Sequence, residues 1–276
     1  MSVETKVKQL HELPKVKARK EVQTIKKELK EHYTTDASLK KAYSEYRGEL
    51  RKLAKSHYLI PLFKLTKFQL ERLNKEYKKE LRKRHSNIHT ITKYKEYIKY
   101  AEDIAINSAS YVTRLLGLCA LTGRRPAELM KTAHFRKVKD DSYKAYFTGQ
   151  LKTKNAKKEE YIIPLLTNYD LVQESLESIR PHFNDVDTTK QAIARVSTRI
   201  TLHMGKMRFK EFLKPKLQSR DLRKAYSAIA YFLVKEEITQ TPEAYTAQIL
   251  GHSDDDLTTA LSYRDYIVKD NGVHYL

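Results

Sequence analysis

Leu121-Thr122-Gly123-Arg124-Arg125-Pro126-Ala127-Glu128-Leu129 is the stretch on which the reading of this chain turns. An apolar helical run, Ile106 to Leu121, leads into it. Thr-Gly then breaks the helix, two arginines follow at once, and an apolar stretch with Glu128 resumes it. Apolar flanks are costly to leave in water, so they are expected to be buried. Arginine is always charged and rarely buried without a partner. A break that delivers Arg125 to the edge of a buried helix pair therefore fixes a cation rigidly. Glu128, three residues on, falls on the same helical face and is placed to orient it. The plainer alternative is an ordinary corner between helices with two exposed arginines.

Composition narrows the partners. The 276 residues carry 54 Lys and Arg against 34 Asp and Glu, a formal charge of +20. Such an excess calls for a polyanion, nucleic acid first and acidic membrane second. The charge is uneven: residues 1–100 hold 27 basic and 12 acidic side chains. The lone Cys119 lies in an apolar run, makes no internal disulfide and suits a reducing compartment. No apolar run approaches the length of a membrane span, and Met1-Ser-Val-Glu-Thr-Lys6 lacks the apolar core of a signal peptide. A cytoplasmic protein is expected.

Going outward along the chain, Val22, Ile25 and Leu29 recur at helical spacing, as do Leu39, Tyr43, Tyr46, Leu50 and Leu53. Tyr33-Thr-Thr-Asp-Ala-Ser38 between them reads as a turn, with Asp36 or Thr35 as cap. Leu59-Ile-Pro-Leu-Phe63 is a connection. Leu70, Leu73, Tyr77 and Leu81 mark a further helix, whose other faces carry Lys78, Lys79, Arg82, Lys83 and Arg84. Residues 51–100 hold 15 basic and 4 acidic side chains. Mutual salt bridges cannot neutralise that imbalance, so phosphate contact is expected there. The tyrosines of Lys93-Tyr94-Lys95-Glu96-Tyr97-Ile98-Lys99-Tyr100 have the spacing to stack on bases, but half-buried helix residues with wet hydroxyls are the preferred reading.

Past a composition shift near residues 101–107, helices are expected to about Phe135. Ser142-Tyr-Lys-Ala-Tyr-Phe-Thr-Gly149 alternates as a strand should, and Glu160-Tyr-Ile-Ile-Pro164 is a second strand. The tip between them carries four lysines, Lys152, Lys154, Lys157 and Lys158. A long helical region follows from about Asp187 to Leu213. Ser219 is expected to cap a helix over 220–235. Thr241-Pro242-Glu243 starts another that stops at Gly251. His252 comes next, and Ser253 to Asp256 resembles a capping box for a short helix carrying Tyr263. Tyr266-Ile-Val has the pattern of one strand.

Taken together, these stretches resemble the tyrosine recombinases. Thr122-Gly-Arg-Arg125-Pro-Ala-Glu128-Leu is similar to their first arginine motif, and Arg220-Asp-Leu-Arg223 to their second. Leu250-Gly-His252 followed by Ser262-Tyr263 is similar to their ending, and Lys152 lies where the family keeps its catalytic lysine. Ala120-Leu-Thr-Gly-Arg-Arg-Pro126, Phe147-Thr-Gly-Gln-Leu-Lys-Thr-Lys154 and Ser262-Tyr263 look most like the telomere resolvases, or protelomerases, which make hairpin DNA ends. The resemblance does not extend securely over residues 1–60. It implies a mainly α protein in two parts. Residues 1–105 would be a basic helical DNA clamp. Residues 106–276 would be a helical catalytic domain with one small antiparallel β-hairpin near 143–164.

The implied chemistry follows from the residue types. A tyrosine hydroxyl attacking a phosphodiester gives a covalent phosphotyrosine, so the ester bond energy is kept. Arg125 and Arg223 offer forked donors to the extra negative charge of the transition state. His252 can donate a further bond or help to move the tyrosine proton. Lys152 can protonate the leaving 5′ oxygen; Lys154 is its rival and otherwise a DNA contact. Arg220 replaces the usual His or Lys, can bind phosphate and is a poor proton donor. Tyr266 and Tyr245 compete with Tyr263. No cysteine–histidine cluster or carboxylate group suggests a metal, and no glycine-rich loop suggests a nucleotide, so no cofactor is expected. The implied partner is double-stranded DNA with a palindromic site, bound by a homodimer, with no membrane involved. The implied setting is a bacterial or phage-encoded protein acting on a linear replicon. The alternatives are an ordinary integrase joining two sites and a non-enzymatic basic DNA-binding protein.

Overall fold

The computed structural model describes residues 1–85, 88–151, 160–251 and 263–269, with 83–85 described by backbone alone. The chain divides into two compact units, Met1–Lys83 and Arg84–Leu276. That division falls earlier than the one at residue 105 expected from charge. The reason is that the helix over 94–107 buries Tyr97, Ala101 and Ala105 in the core of the second unit. Tyr97 and Tyr100 pack edge-on or tilted against Phe209 and Phe212. Packing, rather than base stacking, accounts for these tyrosines.

The first unit contains α1 (Val3–Glu12), α2 (Lys15–His32), α3 (Asp36–Leu53) and most of α4 (Lys67–His85). The Thr35 hydroxyl caps α3 by accepting the Ser38 N–H at 3.2 Å, which settles the choice between Thr35 and Asp36. Leu39, Tyr43, Tyr46 and Leu50 form the buried stripe, while Leu53 lies outside it, 41% exposed. α1 escaped the sequence reading. Ser2 caps it, and it buries Val7 and Leu10 in the same core. The connection at Leu59–Phe63 is also core: Phe63 stacks on Tyr46 with centroids 4.6 Å apart.

The apolar stripe expected on α4 is only partly covered, with Leu70 and Tyr77 36% and 54% exposed. The start of α4 is pinned by polar contacts, Gln69 Nε2 and Arg72 Nε donating to the two carboxylate oxygens of Asp36 at 2.7 and 2.9 Å. Lys78, Lys79 and Arg82 are exposed, and the side chains of Lys83 and Arg84 lie outside the described residues.

The second unit is built around α6 (Tyr111–Thr122), whose residues from Leu115 onward are all buried. It packs against α5 (Tyr94–Asn107), α7 (Tyr169–Ile179), α8 (Thr189–Lys206) and α10 (Ser219–Val234). The apolar run from Ile106 is two helices, because Ser108-Ala-Ser110 separates α5 from α6 and Ser110 caps the latter. Helix does not continue to Phe135. One π turn, Glu128–Thr132, is followed by β2 (His134–Val138). β2 pairs antiparallel with β3 (Asp141–Thr148), which pairs with β4 (Tyr161–Pro164), so the expected hairpin is the outer part of a three-stranded sheet. A strand as short as β2 has too few alternating positions to be told from a helix end.

A second, parallel pair joins β1 (His89–Ile91) to β5 (Tyr266–Val268), with His89 opposite Tyr266. The region 187–213 is α8 plus the short α9 (Phe209–Phe212). α10 is capped by Gln218 in a capping box with Asp221, not by Ser219. α11 (Pro242–Leu250) starts and stops as read, at Thr241 and Gly251. The short helix expected to carry Tyr263 lies outside the described residues; Tyr263 itself is in a turn. Among the described residues, no helix is long and apolar enough to cross a membrane. The architecture is mainly α with a small antiparallel sheet.

A histidine pair couples α1 to the connection after α3. The Leu59 N–H donates to His57 Nδ1 at 3.3 Å, and His57 Nε2 lies 3.1 Å from His11 Nδ1. Burial, and then the neighbouring His11, hold the His57 imidazole below the usual histidine range. A folded value below the unfolded value of about 6.5 means stability that is present above it and lost as pH falls through the folded value. Acidification from about pH 7.5 to 5 should therefore speed hydrogen exchange at the α1 amides. In His57→Gln that pH-dependent part should be absent.

Candidate active site

The break after α6 is made by Gly123, which takes φ +67° and donates its N–H to Cys119 O at 3.0 Å. The Tyr226 ring stands where a Cβ would be, so only glycine fits this turn. The turn sends the two arginines in different directions. Arg124 is 1% exposed and points back into the unit. Its Nε donates to Thr122 O at 3.1 Å, Nη1 to the Tyr161 hydroxyl at 2.9 Å and Nη2 to Ile249 O at 2.6 Å. The guanidinium lies over the Phe147 ring at 4.6 Å. Sequence reasoning passed over Arg124. The available signal was that two adjacent side chains leaving a tight turn cannot share a direction.

Arg125 turns toward Glu128, which is fully buried. One carboxylate oxygen accepts from Arg125 Nη1 at 2.5 Å and from the Leu151 N–H at 3.1 Å; the other accepts from the Arg125 N–H at 2.8 Å. Glu128 thus braces Arg125, as its spacing suggested, and also holds the backbone just before Lys152. Burial alone would raise the Glu128 pKa, but the charges of Arg223, Arg124 and Arg125 outweigh it and hold the carboxyl below its ordinary value. One buried carboxylate, bonded to Arg125 and within electrostatic reach of Arg124 and Arg223, leaves an excess of positive charge among the described residues.

The third of these is Arg223 on α10, 4% exposed. It donates to Gly123 O, and from Nη2 to Leu250 O at 2.8 Å, while its buried Nε has no hydrogen-bond partner among the described residues. Burial first, and then the charge of Arg124, push its pKa down to about 10. The Arg223 guanidinium lies 5.8 Å from the centre of the Tyr263 ring. Arg220, one turn earlier, is exposed.

The rival tyrosines are placed differently. The Tyr266 hydroxyl is buried with no hydrogen-bond partner among the described residues, and burial, followed by Asp221 and Asp265, pushes its pKa far up. Tyr245 is buried, which with Glu237 pushes it up to about 12. Tyr263 is only half-buried.

Lys152, Lys154 and His252 lie outside the described residues, but the residues leading into Lys152 and His252 are described. Gln150 Nε2 donates to Gly251 O at 2.5 Å, and the Tyr161 hydroxyl donates to Gln150 Oε1. Gly251, at φ +68°, leaves the space that the Gln150 amide occupies. A chain of contacts therefore runs from Arg124 through Tyr161 and Gln150 to the residue before His252. Neither Gln150 nor Tyr161 was singled out as a site residue. Among the described residues, no three His, Cys, Asp or Glu side chains group to hold a metal ion. The described geometry gathers three guanidinium charges around one buried carboxylate, one of them, Arg223, beside a half-buried phenol.

Residues 87–266 match the telomere resolvase ResT/TelK catalytic domain family. The chain is 23% identical over 202 residues to the telomere resolvase ResT of Borreliella burgdorferi, a match covering 73% of this chain and 43% of that protein. It thus spans less than half the length of that relative. Among solved structures, it is similar to a protelomerase TelA covalently complexed with substrate DNA. The TM-score is 0.80 and the identity 21%, over 91% of this chain and 83% of the other. A TelA variant complexed with a DNA hairpin product aligns at TM-score 0.74 and 22% identity, over the same shares. Protelomerase TelK complexed with substrate DNA aligns at 0.65 and 18%, over 87% of this chain and 50% of TelK.

Removing Arg124 would leave Thr122 O, Ile249 O and the Tyr161 hydroxyl oxygen without the donor they accept from. Arg124→Ala should lower the stability of the second unit by about 3–5 kcal/mol. Tyr161→Phe, which deletes one hydroxyl, should cost about 1 kcal/mol. Urea unfolding of the two variants measures both.

Proposed function

The chain belongs to the telomere resolvase family, and on that premise we propose that it cuts and rejoins double-stranded DNA at a palindromic site, closing each new end as a hairpin. The observation that carries the proposal is the cation excess at Glu128 among the described residues, with Arg125 bonded to that carboxylate and Arg223 beside the ring of Tyr263. A scissile phosphate supplies the anion that such a site lacks, and it would relieve the buried, underbonded Arg223. The TelA relatives, one covalently complexed with substrate DNA and one with a hairpin product, are consistent with both halves of the reaction.

In this reading Tyr263 attacks the phosphorus, the P–O5′ bond breaks, and a 3′-phosphotyrosine forms with a free 5′-hydroxyl. Arg125 and Arg223 donate to the non-bridging oxygens, where charge grows in the transition state. His252 donates there too or accepts the phenol proton, and Lys152, with Lys154 as rival, gives a proton to the leaving oxygen. Arg220, exposed on the first turn of α10, contacts a flanking phosphate. The 5′ end then folds back and attacks the phosphotyrosine of the opposite strand, and the phenolate leaves with a proton. One ester replaces another at each step, so no ATP or metal is required.

A twofold site suits two copies of the chain, each cutting one strand. Folding back costs on the order of a kcal/mol or more per base step, which binding energy from the basic residues must supply. Lys78, Lys79, Arg82, Lys83 and Arg84 are assigned to phosphate contact.

A linear duplex with one central palindrome, incubated in EDTA, should give two shorter duplexes, each closed at one end and resistant to strand separation. Exchange between two sites without closed ends would instead establish an ordinary recombinase. Tyr263→Phe should bind DNA and form no covalent adduct. Lys152→Ala should be slow on normal DNA and recover when the bridging 5′ oxygen is replaced by sulfur, a leaving group that needs no acid.

Affinity should fall on the order of 10³-fold between about 50 and 200 mM salt if six or so phosphates are contacted. Neutralising Lys78, Lys79, Arg82 and Lys83 together should flatten that slope. An unchanged slope would make them a solvated face only.

A further inference from the structure

The turn that carries Tyr263 is tied to α10 by a ring of four charges. Lys224 Nζ lies 2.5 Å from Asp265 Oδ2 and 3.8 Å from Asp221 Oδ1; Lys214 Nζ lies 2.8 Å from Asp221 Oδ1 and 3.8 Å from Asp265 Oδ2. Asp221 and Lys224 are almost wholly buried, at 1% and 6% exposed. Each acid sees two bases and each base two acids, which fixes direction as well as distance. The second Asp221 oxygen accepts the Gln218 N–H at 2.8 Å, so the ring is anchored to the capped start of α10.

The registers coincide. Arg223 and Lys224 are consecutive on α10, and Tyr263 and Asp265 are two apart on the turn. Arg223 faces the Tyr263 ring while Lys224 binds Asp265. The turn is held on its other flanks by Arg264, whose Nε donates to Glu243 Oε1 at 2.7 Å, and by Asp265 O, which accepts the His89 N–H at 2.9 Å. Tyr263 also packs against the core of the unit and borders a cavity of about 240 Å³, lined among others by Tyr231, Phe232, Thr246 and Val268.

We infer that Lys224 and Asp265 are positioning residues that hold the Tyr263 turn in register with Arg223, aiming the phenol at a phosphate bound by that arginine. The inference rests on the reading of Tyr263 as nucleophile. A displacement of about 1 Å at a reacting group can cost 10²-fold in rate, so loosening one ion pair would be felt chiefly in the attack step.

Two reactions separate aiming from folding. The first is single-turnover cleavage, which needs the tyrosine. The second is rejoining by Tyr263→Phe on a duplex whose 3′ end carries a p-nitrophenyl phosphate. There a 5′-hydroxyl attacks the phosphorus, the bond to the p-nitrophenyl oxygen breaks, p-nitrophenolate leaves, and the hydroxyl proton passes to solvent. That reaction needs the arginines and no tyrosine. Asp265→Ala should slow cleavage on the order of 10²-fold with DNA affinity unchanged. Asp265→Asn, which keeps an acceptor for Lys224 and the same volume, should lose less.

Added to Tyr263→Phe, neither substitution should slow rejoining. Equal losses in cleavage and rejoining would overturn the inference and leave a structural ion pair. So would cleavage at the normal rate in Asp265→Ala. A covalent adduct persisting in Tyr263→Phe is a different failure, one that removes the nucleophile assignment and this inference with it.

Discussion

A guanidinium with almost no exposure to solvent, Arg124, joins the three pieces of chain from which the anion site is built. The end of α6, strand β4 and the end of α11 each give it one hydrogen-bonding oxygen, and Phe147 gives it a ring. A buried cation is tolerated only where its donors are matched. That requirement makes the geometry strict. If any of the three segments shifts, a charged donor in the interior loses its acceptor. The rigidity extends outward from there, because Tyr161 also holds Gln150, and Gln150 holds Gly251. Segments that are far apart in sequence and bear the proposed lysine and histidine thus share one internal support.

Glu128 has the complementary role. Buried among three arginines, it satisfies part of their charge and leaves part of it to be satisfied by a ligand. Full neutralisation would give a stable core with no reason to bind phosphate, and removal of the carboxylate would leave the guanidiniums repelling one another. Among the described residues, one acid among three bases holds the guanidiniums together without neutralising them. The depressed pKa of Arg223 records the same compromise from the side of the cation.

Ion pairs tie the turn that carries Tyr263, and apolar packing holds the helices that carry the arginines. α6 and α10 pack against one another, and both bury aliphatic and small residues such as Leu115, Leu118, Leu222 and Ala225. Such packing sets distances well but is tolerant in rotation. The ring of Lys214, Asp221, Lys224 and Asp265 adds the direction that packing lacks. Energetically a buried ion ring adds little net stability relative to apolar replacements, so its contribution is to geometry.

The sequence by itself determined the features whose causes are local. Helical periodicity marked α2, α3 and α4. Gly123 and Gly251 marked the stops, Thr241-Pro242 a start, and alternation marked β3 and β4. The order of the short motifs pointed to the family, and by resemblance proposed Arg125, Arg223 and Tyr263 as site residues. The helix, strand and turn signals rest on residues within a few positions of one another, where spacing alone carries the information, while the family reading rests on the order of such motifs along residues 121–263. Tertiary structure decided the rest. It chose which of two adjacent arginines turns inward, because that depends on Ile249, 125 residues away. It showed the Tyr266 side chain buried and Tyr263 half-buried, a difference that depends on what packs over each ring. It added β2, the parallel pairing of β1 with β5, and the partnership of Lys224 with Asp265. A charged or aromatic side chain has the same local preferences whether it ends in solvent or in the core, and only the assembled neighbours select between the two.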